Sequence, residues 1–380
     1  MKIIIILPSL SYRGGERIYY TRALGLVAEG HEVVFVVGRV EKKAMTIKSH
    51  VKLIKPNKFF NKLFENDYIF FISSFFSMFY LGLKNSKNVD IVDTESGFAL
   101  WAGYFIAKIR RITEQKKIKL VWTIFAYEEK SVFNRLMHGF LAKKADSYNA
   151  LAPRITRVIK KVFGVEGVVV LIPAIDVNRF KNTQIKNTIE KYNLKNKLVV
   201  LHPAALHPKK NQEIAIMAVQ RLKIDFPNIY LILTGSGNDR GRLQDIVKKY
   251  NLQNFVKFTG VVKEGEISDL YKIADAVLVT SNVDNEGLSM TALEALYCKT
   301  MPIVSSMAGV AEILKDNKIG LIYQPNQLEL TKTIKSYLSN PKKFETILNR
   351  GNLWVKKNLT LKNYAKLTLA SYEKSFNVHR

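Results

Sequence analysis

Runs of mostly apolar residues recur along the chain, and segments of helical length separate them. Continuous apolar runs without polar alternation are typical of strands buried on both faces of a parallel sheet. Helical segments between such strands predict repeated βαβ units and hence an α/β fold. The runs cover residues 3–7, 33–37, 89–93, 119–124, 198–202, 229–235, 256–260, 276–280 and 302–306.

The runs fall into two sets, which indicates two domains. The chain has 380 residues, and single hydrophobic cores usually stop growing at about 250–300 residues. Four runs precede the polar stretch 173–196, in which no strand is predicted, and the others follow it. We therefore expect two Rossmann-like domains that join within this stretch.

The charge is strongly positive and unevenly spread. The formal net charge is +27, and residues 101–200 hold 20 basic and 7 acidic side chains, whereas residues 251–300 hold 4 and 7. Such a field favours an anionic partner, which could be membrane lipid, nucleic acid or a phosphorylated substrate. Because no aromatic-basic recognition module accompanies the charge, no nucleic-acid partner is expected.

Cysteine and metal-ligand patterns restrict the chemistry further. Cys298 is the only cysteine, which excludes an internal disulfide and fits a reducing cytoplasm. The sequence contains no Asp-x-Asp pair and no His/Cys cluster. We therefore expect no bound metal.

Residues 68–83 carry no charge but are too few to form a typical transmembrane helix, which needs about 20 residues. An amphipathic helix fits them better, and two placements stay open: a core helix, or a surface helix resting on anionic lipid. The predicted polar stripe comprises Ser73, Ser77, Tyr80 and Lys84, and the opposite apolar face comprises Phe71, Phe75, Met78 and Phe79.

Two glycine-rich loops follow predicted strands. Gly14 and Gly15 lie where the first strand turns into a helix. Thr234 and Gly235 end the strand 229–235, and Gly237 follows it. Glycines at such turns allow backbone N–H groups to approach a phosphate or sugar at a helix N-terminus. The G-x-G-x-x-G fingerprint is absent, which weighs against an NAD enzyme. Tight turns without a ligand are the alternative.

Lys210 and two glutamates are the candidates for chemistry in the second half. Lys210 is predicted at a helix start, where its ammonium could hold a phosphate, with a solvated lysine pair as the alternative. A helix is predicted from about Gly287, so that Glu286 lies beside its first turn and Glu294 two turns in. A carboxylate can accept two hydrogen bonds from a vicinal diol, although a chance spacing on an amphipathic helix remains the alternative.

The order and spacing of several segments resemble those of the retaining GT-B glycosyltransferases of the large family 4 type, also called glycosyl transferases group 1. The resemblance implies an α/β GT-B fold with two Rossmann-like domains that face each other across a cleft. It implies an acceptor-binding domain at 1–178, a nucleotide-sugar-binding domain at 179–355, and a C-terminal helix at 356–380 that crosses back to the first domain. The segments are GGER (14–17), IPAIDVNRF (172–180), LTGSGND (233–239), FTGVV (258–262), NEGLSMTALEALYCKTMPIVSS (285–306), GLIYQP (320–325) and NYAKLTLASYEKSF (363–376).

The resemblance also implies a function: transfer of a hexose from a nucleotide-sugar to a glycan or lipid-linked acceptor, with retention of configuration. The expected donor is a UDP-sugar, and neither a metal nor another cofactor is expected. Glu286 would hold the donor sugar, Lys210 would stabilise the leaving diphosphate and Glu294 would bind the ribose diol. The implied donor-binding residues are Gly14, Gly15, Thr234, Gly235, Gly237, Val262, Gly287, Leu288, Ser289 and Glu294, and the implied acceptor-side residues are Arg13, Phe125 and Tyr127.

The sequence departs from the family pattern at two important positions. Ala204 and Ala205 stand where the family usually has an arginine that assists Lys210, and Phe125 stands where it often has a histidine. Lys209, Arg13 and Arg17 are candidates to compensate. These departures keep open a degenerate protein that binds a nucleotide-sugar without transfer, and a sugar-nucleotide epimerase. A cytoplasmic location is expected, with peripheral association at the inner membrane face through the basic first domain and residues 68–83 as an additional expectation.

Overall fold

The computed structural model describes residues 1–10, 14–41, 47, 50–57, 67–127, 131–181, 183–283 and 287–374. Residues Met1–Ala174 and Leu359–Arg380 form one compact unit, and residues Ile175–Asn358 form another. We call them the first unit and the second unit. In the described part of the chain, no helix is both long enough and apolar enough to span a bilayer.

A seven-stranded parallel sheet forms the centre of the first unit in the described ranges, with strand order β3-β2-β1-β4-β5-β6-β7. Five helices described by the same ranges accompany these strands before the second unit begins. The strands are β1 (Lys2–Leu10), β2 (Glu32–Val40), β3 (Lys52–Ile54), β4 (Ile91–Thr94), β5 (Lys119–Ile124), β6 (Ser147–Ala150) and β7 (Val169–Val170). The helices are α1 (Gly14–Ala28), α2 (Asp67–Asn85), α3 (Phe98–Thr113), α4 (Val132–Ala142) and α5 (Pro153–Phe163).

The central position of β1 in the sheet explains why its sequence is apolar without alternation. Ile4 and Ile6 lie in one hydrophobic cluster with Val34 of β2, whereas Ile3 and Ile5 lie in a second cluster. Successive side chains of a strand point to opposite faces. Since both faces of this sheet are covered, every position of the run is buried.

The second unit repeats this architecture around a six-stranded parallel sheet of order β10-β9-β8-β11-β12-β13 in the described residues. Its strands are β8 (Leu198–Pro203), β9 (Ile229–Thr234), β10 (Val256–Gly260), β11 (Ala276–Val279), β12 (Met301–Ser305) and β13 (Leu321–Tyr323). Its helices are α6 (Ile185–Tyr192), α7 (Gln212–Leu222), α8 (Arg240–Lys249), α9 (Glu264–Ile273), α10 (Met290–Tyr297), α11 (Ala311–Asn317), α12 (Gln327–Ser339) and α13 (Glu345–Asn358), with short 3₁₀ turns at Val177–Phe180, Pro208–Lys210 and Pro341–Phe344.

The last helix, α14 (Leu361–Lys374), belongs to the first unit and packs on α1. Gly25 of α1 permits this contact, because a Cβ atom there would lie 2.7 Å from the carbonyl oxygen of Leu361. Tyr372 of α14 donates a hydrogen bond to the buried carboxylate of Asp93 at 2.6 Å. The end of the chain is therefore an integral part of the first core.

The nine predicted strands are all present, but the sequence analysis missed β3, β6, β7 and β13. β3, β7 and β13 are edge strands of only two or three residues. β6 is polar, with the sequence SYNA, and its buried Ser147 and Asn149 are hydrogen-bonded by Ser371 of α14. These side chains can be buried because a distant segment satisfies their hydrogen bonds.

The predicted helix over 68–83 is present as α2, and its Phe75, Met78 and Phe79 pack on the first core. Ser73, which the periodicity places on the polar stripe, is only 9% exposed. In the next residue, the Cβ of Ser74 lies 3.0 Å from the position of a Cβ on Gly38. Small side chains are therefore needed where α2 crosses β2.

Two predicted local features of the second unit were also wrong in detail. Helix α10 begins at Met290 rather than near Gly287, so Glu294 lies about one turn into it. Lys210 belongs to a separate 3₁₀ turn, and Asn211, with φ of 49°, separates that turn from α7. The left-handed conformation of Asn211 explains why the two do not form one continuous helix.

Candidate functional site

The second sheet has a topological switch point between β8 and β11. Chain connections leave these neighbouring strands in opposite directions, since β8 continues to β9 on one side and β11 continues to β12 on the other. In open parallel sheets, ligands bind in the crevice beyond the carboxyl ends of the strands at such a point. Lys210 and Ser289, both predicted site residues, lie in loops at this edge.

A hydrogen-bond network fixes the turn that carries Lys210. The Thr280 hydroxyl, at the end of β11, donates to the carbonyl of Lys210 at 2.6 Å. The Ser281 hydroxyl donates to the carbonyl of Lys209 at 3.1 Å. Two residues that follow β11 therefore hold the Lys210 turn in place.

His202 supports the same network from β8. Its Nε2 lies 2.7 Å from the Thr280 hydroxyl oxygen, whose proton is directed to Lys210. Because the Thr280 proton is already donated, His202 Nε2 is assigned as the protonated nitrogen that donates to the Thr280 hydroxyl oxygen. Burial lowers the pKa of His202 to about 4, so the imidazole is neutral near pH 7.

A cavity of about 160 Å³ lies at this switch point. Its wall brings Lys210 together with Ser289 and Thr291, which lie about 80 residues further along the chain. Ala204 and Ala205 line it too, so the positions at which the resemblance expects an arginine do face this space. A larger open depression of about 640 Å³ involves α6 and α9 and contains none of the predicted site residues.

Gly235 and Gly237 have a structural role that the sequence analysis did not separate from ligand binding. A Cβ on Gly237 would lie 2.0 Å from the carbonyl oxygen of Leu206, and one on Gly235 would lie 2.4 Å from that of Ala204. The preceding Thr234 is 4% exposed at the end of β9. These glycines allow the loop after β9 to contact the loop after β8, which forms one wall of the cavity.

Glu294 is held by two side chains. Arg179 Nη1 forms an ion pair with its Oε1, and the Tyr271 hydroxyl donates to its Oε2 at 2.9 Å. The pKa of the Tyr271 hydroxyl is raised well above its ordinary value by burial and by the neighbouring carboxylate. Sequence analysis assigned no function to Arg179 or Tyr271, although Arg179 lies in the motif IPAIDVNRF.

The remaining donor-side predictions lie at the same edge of the sheet. Leu288 is buried at 9% exposure, and Gly287 and Val262 are half-buried. Arg240 at the start of α8 adds positive charge there, with its Nη1 3.8 Å from the position of a Cβ on Gly260. Glu286 lies outside the described residues.

In the first unit, two predicted residues meet at the carboxyl edge of the sheet. A Cβ on Gly15 would lie 3.1 Å from the ring of Phe125, which also packs on Tyr19 at 5.0 Å. Gly14 is exposed at the start of α1. Arg13 lies outside the described residues.

Tyr127, which the resemblance implies on the acceptor side, is buried. It is 3% exposed, and its ring packs against His138 at 5.8 Å and Phe163 at 5.4 Å. Burial raises the pKa of its hydroxyl to about 12.

Glu95 is a carboxylate at the same edge that the sequence analysis missed. It directly follows β4, and burial together with the charge of Glu16 raises its pKa to about 7. Strongly perturbed carboxylates cluster at functional sites. Its position after a predicted strand, in VDTES, was the available signal.

In the described ranges, no group of three or more His, Cys, Asp or Glu side chains could hold a metal ion. The residues at the β8–β11 edge offer an ammonium, hydroxyls and backbone groups. Such an arrangement is suited to binding an anionic, hydroxyl-rich ligand.

Comparison with known proteins identifies the family. Residues 184–354 match the family model Glycosyl transferases group 1, and residues 12–179 match the model Glycosyltransferase Family 4. The chain belongs to the group 1 glycosyltransferases. The family prediction made from the motifs is therefore confirmed.

Solved structures confirm the predicted GT-B fold with two Rossmann-like domains. HepE of Anabaena, crystallised in complex with UDP, aligns with a TM-score of 0.79 and 19% identity over 98% of this chain and 100% of HepE. A glycosyltransferase from Rickettsia africae aligns with a TM-score of 0.80 and 20% identity over 99% of both chains. At these identities the likeness establishes the fold.

A curated relative with assigned chemistry is a GDP-mannose-dependent α-(1-6)-phosphatidylinositol monomannoside mannosyltransferase of Mycolicibacterium smegmatis. It is 24% identical over 196 residues, which are 50% of this chain and 51% of the relative. An uncharacterised glycosyltransferase of Methanocaldococcus jannaschii is 30% identical over 46% of this chain and 44% of the relative. The chain spans about half the length of these curated relatives.

Proposed function

We propose that this protein transfers a hexose from a nucleotide-sugar to a glycan or lipid-linked acceptor, with retention of configuration. The observation that carries the proposal is the cavity at the β8–β11 switch point, with Lys210 and Ser289 in its wall. It offers room for part of a diphosphate beside a cation. The UDP bound to HepE supports a nucleotide donor, and a UDP-sugar is our first choice.

Lys210 is proposed to stabilise the negative charge that develops on the leaving diphosphate. Such preorganised electrostatic stabilisation is usually the largest single contribution to catalysis. The Thr280 hydroxyl fixes the backbone of the Lys210 turn, so the side chain that carries the ammonium starts from a fixed position. Glu286 is proposed to hold the hydroxyls of the donor sugar.

Glu294 is proposed to bind the ribose diol. Arg179 and Tyr271 each occupy one lone-pair direction of its carboxylate, and an ionised carboxylate offers about four such directions. Acceptor capacity therefore remains for two ribose hydroxyls. We propose no metal and no cofactor other than the nucleotide-sugar.

The acceptor is proposed to bind at the carboxyl edge of the first sheet. Glu95 offers a carboxylate there, and Phe125 offers an apolar surface for a sugar ring. A lipid-linked acceptor is supported by the mannosyltransferase relative, whose name specifies a phosphatidylinositol monomannoside acceptor. The protein would then act at the cytoplasmic face of a membrane.

The test is a panel of UDP-, GDP- and dTDP-sugars, with binding measured calorimetrically and hydrolysis or transfer measured by release of the nucleotide. We expect one base to bind, and Lys210→Ala to lower the rate by about 10²–10³-fold, as loss of one charge-stabilising group does. Lys248→Ala is the matched control, since Lys248 is an exposed lysine of the same unit, in the last turn of α8, and does not line the cavity. Absence of binding to every nucleotide would refute the proposal.

Binding without transfer is the second candidate, because Ala204 and Ala205 line the cavity where the resemblance expects an arginine. The same panel separates the two functions. Nucleotide binding that depends on Lys210, without hydrolysis or transfer to any added acceptor, would favour the second candidate.

A further inference from the structure

Helix α4 in the first unit exposes its apolar residues instead of burying them. Val132, Phe133, Leu136 and Phe140 are 69%, 65%, 75% and 57% exposed. Their spacing of one, three and four residues places them on one side of the helix. We call these four side chains the α4 face.

The opposite side of α4 is the side that holds the helix on the protein. His138 is 4% exposed and stacks on Trp122 at 5.2 Å, and Leu141 is fully buried. α4 is therefore a folded, anchored helix with an apolar outer surface. An ordinary surface helix of a globular protein has the reverse arrangement, with its polar side facing water.

The α4 face continues onto neighbouring helices. Phe140 stacks on Trp101 of α3 at 5.9 Å, and Trp101 lies 6.2 Å from Phe105. Phe105 in turn contacts Phe75 of α2 at 6.3 Å, beside Phe76, which is 61% exposed. Contiguous exposed apolar surface of this kind marks an interaction site rather than scattered surface residues.

Basic residues border the α4 face. Lys143 and Lys144 are exposed directly after α4, and the ammonium of Lys144 lies 5.8 Å from the centre of the Phe140 ring. Residues 131–164 contain seven Lys or Arg and one acidic residue, Asp146, and Asp146 is ion-paired with Arg111. The surface therefore combines apolar side chains with an excess of positive charge.

We propose that the α4 face is the surface through which the first unit binds an anionic lipid bilayer. Apolar side chains of a surface helix enter the boundary between head groups and acyl chains, while neighbouring lysines bind anionic head groups. A protein partner would need an apolar surface bordered by complementary acidic side chains, whereas an anionic bilayer supplies both an apolar interior and negative charge. The inference stands independently of the proposed transfer reaction, because it concerns binding to lipid alone.

This assignment changes which helix contacts the membrane. The sequence analysis considered residues 68–83 for that role, but Phe75, Met78 and Phe79 of α2 pack on the core. Among the described side chains of α2, Phe76 and Tyr80 extend the apolar surface at its border, with exposures of 61% and 65%. The main contact is therefore assigned to α4.

Flotation of the full chain with vesicles tests the proposal. One vesicle preparation is pure phosphatidylcholine, and the other contains about one third phosphatidylglycerol. We expect binding to the anionic vesicles, weaker binding as salt rises, and at least about tenfold weaker partition for Leu136→Glu/Phe140→Glu. Leu353→Glu, a change at a 67% exposed leucine of the second unit, is the matched control and should bind as the unmodified protein does.

Lys143→Gln/Lys144→Gln tests the electrostatic component separately. Loss of two lysines near an anionic surface should weaken partition by at least about tenfold and flatten the dependence on salt. Binding to neutral and anionic vesicles alike, or binding unaffected by the α4 substitutions, would overturn the proposal.

Trp101 supplies a site-specific readout, because it stacks on Phe140. Vesicles that contain brominated lipid should quench its fluorescence, and Trp101→Phe should remove the quenched component. A dimer without lipid that dissociates in Leu136→Glu/Phe140→Glu would show that a second copy covers the α4 face, and would also overturn the proposal.

Discussion

Replacing Arg22 with methionine should destabilise the first unit by several kcal/mol. Arg22 and Asp93 are both fully buried, and Arg22 Nη1 lies 2.6 Å from Asp93 Oδ2. Arg22 also donates to the Tyr364 hydroxyl at 3.2 Å, while Tyr372 donates to Asp93. This network connects α1, β4 and the C-terminal helix α14.

The magnitude follows from the charge that remains. Methionine fills much of the volume of the arginine stem, so the loss is mainly electrostatic. Removing one member of a buried ion pair typically costs about 3–5 kcal/mol, because the other charge stays buried without its partner. Asp93 would keep the hydroxyl donors Tyr372 and Thr123, which places the expected loss at the lower end, about 3 kcal/mol.

Unfolding in urea, followed by tryptophan fluorescence, measures this loss. Trp101 and Trp122 lie in the first unit and Trp354 lies in the second. A Trp354→Phe background therefore makes the signal specific for the first unit. We compare the free energy of unfolding of Arg22→Met with that of the parent protein, provided that both depend equally steeply on the urea concentration.

The double variant Arg22→Met/Asp93→Asn separates charge from packing. It removes the orphaned charge but keeps an oxygen that can accept from Tyr372. We expect it to recover about 2 kcal/mol relative to Arg22→Met alone. A double variant as unstable as the single one would refute the reasoning, since the loss would then come from packing.

Three further predictions concern the second unit. Gly237→Ala should lower the free energy of unfolding by about 3 kcal/mol or more, because its Cβ would lie 2.0 Å from a carbonyl oxygen. Gly241→Ala, at an exposed position of α8, should instead raise it by about 0.5–1 kcal/mol. Equal urea midpoints for the two variants would contradict this prediction. His202, with a pKa of about 4 when folded and about 6.5 when unfolded, binds its proton first in the unfolded chain. The contribution of His202 to the stability of the second unit should thus be constant above about pH 7 and fall by about 3 kcal/mol as the pH drops from about 6.5 to about 4. His202→Gln should abolish this contribution in denaturation curves. Arg179→Met should raise the donor KM by at least about tenfold with a smaller change in kcat, because it leaves Glu294 without its ion-pair partner; an unchanged KM would separate Glu294 from donor binding.

The sequence alone determined the fold class and the family. Each predicted apolar run is a strand, because burial on both faces of a parallel sheet requires apolar side chains at every position. The resemblance of the motifs to the family implied a donor site that includes Lys210 and Ser289, and the structure brings both residues to the wall of one cavity. These features depend on residue type and order along the chain, which the sequence contains.

Only the tertiary structure decided how distant side chains satisfy one another. The polar strand β6 could not be predicted, since its Asn149 is satisfied by Ser371, 222 residues away. The pairing of Glu294 with Arg179 spans 115 residues and has no local signal.

The orientation of α4 was equally undetermined by the sequence. Its apolar residues have helical spacing whether they face the core or the solvent, and periodicity identifies a face without identifying what covers it. Because His138 and Leu141 pack on the core, the apolar residues of the α4 face lie on the solvent side of the helix. The core of a fold follows from local patterns of apolar residues, whereas buried polar pairs and exposed apolar faces depend on long-range packing.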